Sequence, residues 1–568
     1  MIIQPIIDLA TICAAKGIKE AILSPGSRCA PLSLAFIRHP DIRCRTIPDE
    51  RSAAFIALGM AQQLNKPVVL VCTSGSAALN YYPAIAEAYF QQIPLLILTA
   101  DRPAEWIDQL DGQTIRQNDV YGSHVKKSYA FPDSFEHPDK CWHAHRIINE
   151  AINESMASPR GPVHINIPLR EPFYPTGEEK FDFKQTVQII DATRGVLRLS
   201  EEQKNSLKTR LGKYRGILVI PGQQKPRPEI RMLLSQVAQQ KKATVISDLI
   251  TNTHTADTIN HPDFILQTIS EKSAMVPDLV ISFGKSILSK SLKQFLRSSS
   301  ATHWHIQENG YVPDPYQRLA KIIHCQPTEI LELMLEIQVE GDPHFIQAWK
   351  DSEKMIGEKL QAIIKEAEFG EFKALAHCFC KIPLDSKLHL SNSMTVRYAS
   401  FLGNLHPSIE IIANRGTSGI DGSNSTAVGC TFTTKDVVTL VTGDMAFFYD
   451  RNAFWHKYNL PNLRIIVLNN HAGGIFRLID GPAQLPELEE FFETEQTLSA
   501  SHLALEYGFD YSPIYTAEEL KAALVNFYGK SNRPKVLEIF SESKFNAEIL
   551  KSVKNQLKTL IRAPKRTL

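Results

Sequence analysis

The sequence has no net excess of charge and no long hydrophobic run. Its 568 residues include 62 Lys and Arg against 61 Asp and Glu, so nothing in the charge balance points to nucleic acid. No run of about 18 apolar residues occurs, which argues against a membrane-spanning helix. The nine cysteines are scattered, and their only close pair, Cys378 and Cys380, lacks the two-residue spacer of a zinc or redox motif. We therefore expect reduced thiols in a cytoplasmic protein.

Several common catalytic motifs are also missing. Gly284-Lys285-Ser286 ends like a phosphate-binding loop, but Leu279 stands where the first glycine of that loop is required. No Gly-x-Gly-x-x-Gly follows the first predicted strand, and neither His-Glu-x-x-His nor Gly-x-Ser-x-Gly occurs. Hydride transfer, zinc-dependent hydrolysis and serine hydrolysis therefore lose their usual sequence support.

Strand and helix patterns alternate along three blocks of the chain, which predicts an α/β protein with three doubly wound parallel sheets. Apolar residues at the amino terminus recur at helical spacing with no basic flank before them, which predicts a packed first helix and not a signal peptide. We expect domains at residues 1–180, 190–345 and 370–568. Strands are predicted at residues 21–23, 43–47, 68–72, 95–99, 163–167, 217–220, 244–247, 279–283, 303–306, 409–412, 437–442, 464–468 and 536–540, and helices at 77–90, 343–373 and 447–458.

The most informative pattern is Gly443-Asp444, followed by Asn469-Asn470 after a second strand pattern. A strand–helix–strand unit would place Asp444 and Asn470 at the carboxyl ends of two parallel strands, where α/β sheets bind ligands. A carboxylate and an amide oxygen suit a hard divalent cation, Mg²⁺ or Mn²⁺ in its place, shared with phosphates. The spacing resembles the thiamin-diphosphate signature. The alternative is a pair of turns that merely use Gly, Asp and Asn.

Glu50 follows the predicted strand at 43–47. In a thiamin enzyme, a carboxyl group that is hydrogen-bonded to the aminopyrimidine ring nitrogen stabilises the imino tautomer. The exocyclic nitrogen of this tautomer then removes the thiazolium C2 proton. A desolvated Glu with a raised pKa would share that proton near neutral pH. The alternative for Glu50 is a solvated turn. Ile420 is the candidate for the apolar wedge that bends the cofactor, and the alternative is an ordinary core residue. Gly416, Gly419 and Gly422 would let the cofactor approach the backbone.

Four arginines lie near the ends of predicted strands. Each could be a surface or ion-paired residue, but together they suggest a site for polycarboxylate substrates, because guanidinium binds carboxylate through two parallel hydrogen bonds. The four are Arg28, Arg102, Arg397 and Arg415, and Gln113 and Arg116 lie where they could join them.

Several short motifs together resemble the 2-succinyl-5-enolpyruvyl-6-hydroxy-3-cyclohexene-1-carboxylate synthase family of menaquinone biosynthesis. They are Ser-Pro-Gly-Ser-Arg at 24–28, Asp-Glu-Arg at 49–51, Thr-Ser-Gly at 73–75, Thr-Ala-Asp-Arg-Pro at 99–103, the segment 113–117, the segment 392–397, Asn-Arg-Gly-Thr-Ser-Gly-Ile-Asp-Gly at 414–422, Gly-Asp at 443–444 and the segment 469–476. They span both ends of the chain, and the middle block contributes little.

The resemblance implies a thiamin-diphosphate-binding fold with a pyrimidine-binding, a central and a diphosphate-binding domain. It implies a transferase that adds the succinic-semialdehyde carbanion from 2-oxoglutarate to isochorismate, with loss of CO₂, at a site shared between two chains of a homodimer or of a dimer of dimers. The implied cofactor-binding residues are Glu50, Ser418, Ile420, Gly443, Asp444, Asn470 and Ile475. Asp444, Asn470 and the Ala472 carbonyl would hold Mg²⁺. The implied substrate-binding residues are Arg28, Arg102, Gln113, Lys290, Ser393, Arg397, Arg415 and Phe476, and Glu50 would be catalytic.

The sequence departs from the family pattern at three places. His471-Ala472 replaces Asn-Gly in the metal loop, Gly112 stands where relatives can carry Asn, and Ser291 follows Lys290 where Arg is expected. Two rival functions stay open: another thiamin-dependent 2-oxoacid decarboxylase or acetolactate-type synthase, and a non-catalytic cofactor-binding protein. Preferential turnover of pyruvate would indicate the first, and cofactor binding without loss of 2-oxoglutarate the second.

Overall fold

The computed structural model of the chain describes residues 3–176, 179–338, 340–403 and 405–562. Within these residues the strands form three separate sheets, and every strand pairing is parallel. Helices separate most successive strands, so the predicted α/β class with three parallel sheets is confirmed. No helix in this part of the chain is long and apolar enough to cross a membrane.

The strands are β1 Glu20–Leu23, β2 Arg43–Thr46, β3 Val68–Cys72, β4 Leu95–Asp101, β5 Ser128–Ala130, β6 Val163–Pro168, β7 Ile217–Pro221, β8 Thr244–Val245, β9 Leu279–Phe283, β10 Thr302–Ile306, β11 Leu319–Ile323, β12 Lys387–Leu390, β13 Glu410–Ile412, β14 Val438–Gly443, β15 Leu463–Asn469, β16 Asp510–Ile514 and β17 Lys535–Phe540. The strand order is β2-β1-β3-β4-β6-β5 in the first sheet, β11-β10-β9-β7-β8 in the second and β13-β12-β14-β15-β17-β16 in the third.

The α-helices are α1 Gln4–Ala15, α2 Ala30–Arg38, α3 Glu50–Leu64, α4 Ser76–Asn80, α5 Tyr82–Gln91, α6 Pro138–Met156, α7 Glu201–Leu211, α8 Pro228–Gln239, α9 Pro262–Thr268, α10 Lys290–Ser298, α11 Pro327–Glu336, α12 Pro343–Glu366, α13 Glu371–Phe379, α14 Met394–Leu402, α15 Ser423–Thr431, α16 Asp444–Tyr449, α17 Ala500–Tyr507, α18 Ala517–Phe527 and α19 Ser543–Arg562.

Each sheet is covered on both faces, as a doubly wound architecture requires. In β3, Val68 and Leu70 pack into one apolar core, whereas Val69 and Val71 pack into another on the opposite face, because successive strand residues point to opposite sides. The core on one face of the first sheet also contains residues of α15 and β14. The first and third sheets therefore share a core through α3 and α15.

All predicted strands are present, but β5, β11, β12 and β16 were not predicted. Three of them, β5, β11 and β16, are edge strands whose residues are mostly half-buried or exposed, so their sequences contain no continuous apolar run. The interior strand β12 was missed because Lys387 and His389 interrupt its apolar pattern. His389 is nevertheless buried, and burial lowers its pKa to about 3.

All three predicted helices have different bounds. The helix predicted at 343–373 ends at Glu366, and α13 begins at Glu371. The helix predicted at 77–90 is divided into α4 and α5, and Pro83 lies in the first turn of α5, where its missing N–H costs nothing. The helix predicted at 447–458 begins earlier, at Asp444, and ends at Tyr449, followed by a short 3-10 turn at Arg451–Phe454. The earlier start places Asp444 in the first turn of α16.

Candidate active site

Four predicted site residues follow the carboxyl ends of four neighbouring strands of the third sheet. Arg415 follows β13, Arg397 lies in the helix after β12, Asp444 follows β14, and Asn470 follows β15. These strands are adjacent in the order β13-β12-β14-β15, and Gly443 pairs with Leu468 across β14 and β15. The parallel register therefore places all four residues at the carboxyl-terminal side of the sheet. The sequence had predicted this position for Asp444 and Asn470.

Asp444 is buried, with 2% of its surface exposed. One carboxylate oxygen accepts a hydrogen bond of 2.7 Å from the side-chain nitrogen of Gln496. Burial raises the pKa of Asp444 to about 6, although the bond from Gln496 and nearby backbone amides, including that of Ala472, oppose the rise. An anion at this position is therefore costly unless a positive charge is placed beside it.

Asn470 is held by a second buried carboxyl group. Its side-chain nitrogen donates to Glu371 at 2.7 Å, and its side-chain oxygen accepts from the backbone N–H of Ala472 at 3.0 Å. Burial raises the pKa of Glu371 to about 7, and the nearby charge of Asp444 raises it further. Neither Glu371 nor Gln496 belongs to a recognisable motif, so only the tertiary structure reveals them.

The donor set fits a hard divalent cation. Asp444 offers a desolvated carboxylate, and the bond to Glu371 turns the Asn470 amide so that its oxygen faces the loop at Ala472. These are oxygen ligands, the type that Mg²⁺ prefers. Among the described residues, no group of three or more His, Cys, Asp or Glu side chains could hold a metal by itself, so a cation here would also need neutral or ligand oxygens.

Glu50 begins α3 and is half-buried in the single chain. One carboxylate oxygen accepts a 3.4 Å hydrogen bond from Asn80. Its neighbours contact the carboxyl end of α16 and the 3-10 turn after it: Arg51 donates to the Tyr449 carbonyl at 2.8 Å, and Asp49 accepts from Asn452 at 2.7 Å. No hydrogen bond joins Glu50 to Asp444 or Asn470 among the residues that the structure describes. In one chain the start of α3 therefore contacts the segment after the α16 amino terminus and not the predicted metal ligands.

Arg415 and Arg397 converge at the third sheet. Arg415 donates to the side-chain oxygen of Asn392 at 2.7 Å, while the nitrogen of Asn392 donates to the carbonyls of Asn414 and Gly419 at 2.7 and 2.6 Å. Asn392 thus fixes both the arginine and its loop. Arg397 is exposed, and partial desolvation of its guanidinium together with repulsion by Arg415 lowers its pKa. Two guanidinium groups that repel each other in this way indicate a site for anionic groups.

The predicted substrate residues of the first sheet form a separate cluster. Arg28 is buried and donates to the Leu169 carbonyl at 2.6 Å. Arg102 forms an ion pair of 2.6 Å with Asp111 and donates to Thr114. Gln113 lies on the same segment as these two partners and is exposed. No contact between this cluster and Arg397 or Arg415 is found within the described ranges.

The remaining predicted residues lie at helix starts and loops. Ser393 has a φ of 72° and its carbonyl accepts from Arg397 at 2.5 Å. Ser418 is exposed, and Ile420 is half-buried, in the loop that Asn392 holds. Ile475 and Phe476 lie half-buried in a 3-10 turn at Gly474–Leu478 just after the Asn470 loop. Lys290 is the exposed first residue of α10.

Glu87, in α5 of the first domain, forms hydrogen bonds with the loop that carries Arg415. Its buried carboxylate accepts from the backbone N–H groups of Gly416 at 2.8 Å and Thr417 at 2.6 Å, and from the Thr417 hydroxyl at 2.7 Å. A side-chain carbon at Gly416 would lie 2.7 Å from the Glu87 carbonyl oxygen, and one at Gly422 would lie 2.2 Å from the Phe55 ring. Close packing between protein segments by itself requires a glycine at both positions, and the approach of a cofactor to this loop stays a prediction.

Comparisons with known proteins cover nearly the whole chain. Residues 8–121 match the family model described as the thiamine pyrophosphate enzyme N-terminal TPP binding domain, and residues 191–390 match the middle domain of thiamine pyrophosphate enzymes. A 2-succinyl-5-enolpyruvyl-6-hydroxy-3-cyclohexene-1-carboxylate synthase of Cytophaga hutchinsonii is 47% identical over 98% of this chain and 99% of its own. The chain belongs to this synthase family.

Other members of the synthase family agree with this result. The protein of that name from Bacteroides fragilis is 36% identical over 97% of this chain and 99% of its own, and that of Porphyromonas gingivalis is 36% identical over 94% of each. Together with the matched family models, these relatives make the chain a thiamin-diphosphate-dependent enzyme, a synthase of the transferase class. The roles of its individual site residues remain predictions.

Proposed function

We propose that this synthase joins 2-oxoglutarate to isochorismate, with loss of CO₂ and 1,4-addition, to give 2-succinyl-5-enolpyruvyl-6-hydroxy-3-cyclohexene-1-carboxylate. The observation that carries the proposal is the row of Arg415, Arg397, Asp444 and Asn470 beside neighbouring strand ends of one sheet. It combines oxygen ligands for a metal–diphosphate group with two guanidinium groups for carboxylates. Both proposed substrates are dicarboxylates, and this pairing suits them.

Thiamin diphosphate, when bound, supplies the electron sink that decarboxylation and carbon–carbon bond formation require. Asp444, Asn470 and the Ala472 carbonyl would hold Mg²⁺ against the diphosphate. Ile420 would be the apolar wedge between the cofactor rings, with Ser418 and Gly443 beside the cofactor. Glu50 would hold a proton at the ring nitrogen of the aminopyrimidine, because a carboxyl group there can both donate and accept it.

Two copies of the chain would complete each site. In one chain, Asp49 and Arg51 hold the carboxyl end of α16, whereas Asp444 lies at the amino end of this six-residue helix. Six helical residues span about 9 Å, and Glu50 accepts its hydrogen bond from Asn80 of its own domain. A homodimer, or a dimer of dimers, would bring Glu50 of the partner to the metal end. A cytoplasmic location likewise remains a prediction.

The substrate residues have separate tasks in this proposal. Arg397 and Arg415 would bind carboxylates at the third sheet, with Ser393 beside them. Arg28, Arg102 and Gln113 would reach the site from the first domain of the partner, and Lys290 would add a cation from the middle domain. Ile475 and Phe476 would form the apolar wall that excludes water from the reacting carbon.

The test is a reaction mixture of the purified protein with thiamin diphosphate, Mg²⁺, 2-oxoglutarate and isochorismate, followed by absorbance of isochorismate. We expect isochorismate loss only when all four components are present. Consumption of 2-oxoglutarate without isochorismate loss would indicate a decarboxylase. Cofactor binding with no reaction would overturn the proposed activity.

A further inference from the structure

A cavity of about 790 Å³ lies at the carboxyl ends of β7, β9 and β10 and reaches Arg415 of the third domain. Its charged lining residues are all cationic, and none of the described residues that line it is acidic. These cations are Lys126, Arg160, Lys285, Lys293 and Arg415. Lys126 pairs with Glu154 at 3.1 Å, but no ion pair of Lys293 or Arg415 occurs among the described residues. The part of the lining around these two cations therefore attracts anions.

Lys293 is the cation of α10 that shares this cavity with Arg415. Its ammonium donates to the Ile287 carbonyl at 2.8 Å, which uses one of its three N–H groups. Burial lowers the pKa of Lys293, and the next cause is repulsion by Arg415, while Asp248 and Asp263 act in the opposite direction. Lys293 therefore lies within electrostatic reach of an arginine that already belongs to the proposed substrate site.

Arg415 has binding capacity left for a ligand. One terminal nitrogen is used by Asn392, but its buried Nε has no hydrogen-bond partner among the described residues. A buried donor without an acceptor is costly. A carboxylate placed between Arg415 and Lys293 would satisfy such a donor and reduce the repulsion between the two cations.

Lys293 lies on the same side of α10 as Lys290, whereas Ser291 lies on another side. Residues 290 and 293 are three apart, so both lysines lie on one side of the helix. Ser291 faces another way: its hydroxyl accepts from Gln267 at 2.9 Å, and its N–H donates to Asp263 at 3.3 Å. Lys293 thus adds a second cation to the side of the helix that carries Lys290, whereas Ser291 cannot.

We infer that Lys293 is a specificity-determining residue that binds, together with Arg415, one carboxylate of a dicarboxylate substrate, supplying the positive charge that position 291 lacks. This inference rests on the proposed synthase function. It assigns to Lys293 a role that the sequence analysis gave to Lys290 alone in the middle domain. The apolar stem of Lys293 would remain packed in α10 while its ammonium faces the substrate.

The test compares Lys293→Met with Lys293→Arg, and uses Lys213→Met, at an exposed lysine before β7, as the matched control. Steady-state kinetics are measured with 2-oxoglutarate and isochorismate varied separately. We expect Lys293→Met to raise KM for one of the two substrates at least about tenfold, the size of a lost charged contact, with kcat changed less than about threefold. Lys293→Arg should restore most of the affinity, and the control should match wild type.

Two outcomes would overturn the inference. The first is an unchanged KM for both substrates in Lys293→Met. The second is an equal fall in kcat for the Met and Arg variants, which would indicate a structural role. Thermal unfolding of each variant detects a folding defect, and in that case Lys293→Gln replaces the Met variant. Failure of the proposed function is distinguishable, because the wild-type protein would then not consume isochorismate at all.

Discussion

The side-chain nitrogen of Asn470 donates a 2.7 Å hydrogen bond to the buried carboxylate of Glu371. This bond decides which way the Asn470 amide points, because a carboxylate accepts hydrogen bonds and the amide nitrogen donates them. The oxygen is thereby left for the loop at Ala472 and for a cation. Glu371 belongs to α13, far from Asn470 in the sequence, so the proposed metal site depends on a helix outside its own motif.

We expect Glu371→Ala to weaken Mg²⁺ binding about 10- to 100-fold, as loss of an outer-shell partner typically does. Glu371→Gln should weaken it less, because its amide oxygen can still accept from Asn470. The measurement is a calorimetric Mg²⁺ titration of each variant in the presence of thiamin diphosphate. Wild-type affinity in the alanine variant would show that Glu371 does not orient Asn470.

Glu50→Gln should slow exchange of the thiazolium C2 proton while leaving fold and Mg²⁺ binding intact, because an amide cannot share the proton of the aminopyrimidine ring. Exchange is followed by NMR of thiamin diphosphate bound to the protein in deuterated buffer. Glu202→Gln, at an exposed glutamate of α7, is the control. Exchange as fast as in wild type would remove Glu50 from the catalytic role.

Arg397→Ala should weaken substrate binding by about 2–5 kcal/mol if the arginine pairs with a buried carboxylate, and should change thiamin diphosphate binding far less. Substrate affinity is measured through KM and cofactor affinity by titration. Arg210→Ala, at an exposed arginine of α7, serves as the control. Equal losses of substrate and cofactor affinity would contradict a substrate-specific contact.

Asp450→Asn should flatten the pH dependence of stability. Burial raises the pKa of Asp450 to about 7, although hydrogen bonds from Ser425 oppose the rise. Between about pH 4, where the unfolded side chain titrates, and pH 7, the folded state keeps a proton that the unfolded state has lost. The free energy of unfolding therefore falls as pH rises, by up to about 1.4 kcal/mol per pH unit.

Urea unfolding of wild type and Asp450→Asn at pH 5, 6 and 7 checks this expectation. The variant should show a shallower fall than wild type across that range. Asp351→Asn, at an exposed aspartate of α12, should retain the wild-type slope. A slope in Asp450→Asn equal to that of wild type would contradict the assignment.

Patterns of apolar residues predicted every interior strand except β12 but only three of the six edge strands. Val68–Cys72 and Leu463–Asn469 are buried along their whole length, so every position carries the signal. Asp510–Ile514 lies at a sheet edge with most of its residues outside the core, and its sequence resembles that of a loop. Local composition indicates how deeply a strand is buried. An edge strand that is only partly buried therefore gives a weak signal in the sequence.

The sequence by itself determined the α/β class, the strand–helix–strand unit around Asp444 and Asn470, and the thiamin-diphosphate signature, because these depend on spacing within short segments. Only the tertiary structure decided that Glu371 orients Asn470, that Asn392 and Glu87 fix the Arg415 loop, and that Lys293 and Arg415 line one cavity. These relationships join residues from different helices and domains. No local periodicity encodes them, because they arise only when separate elements pack against one another.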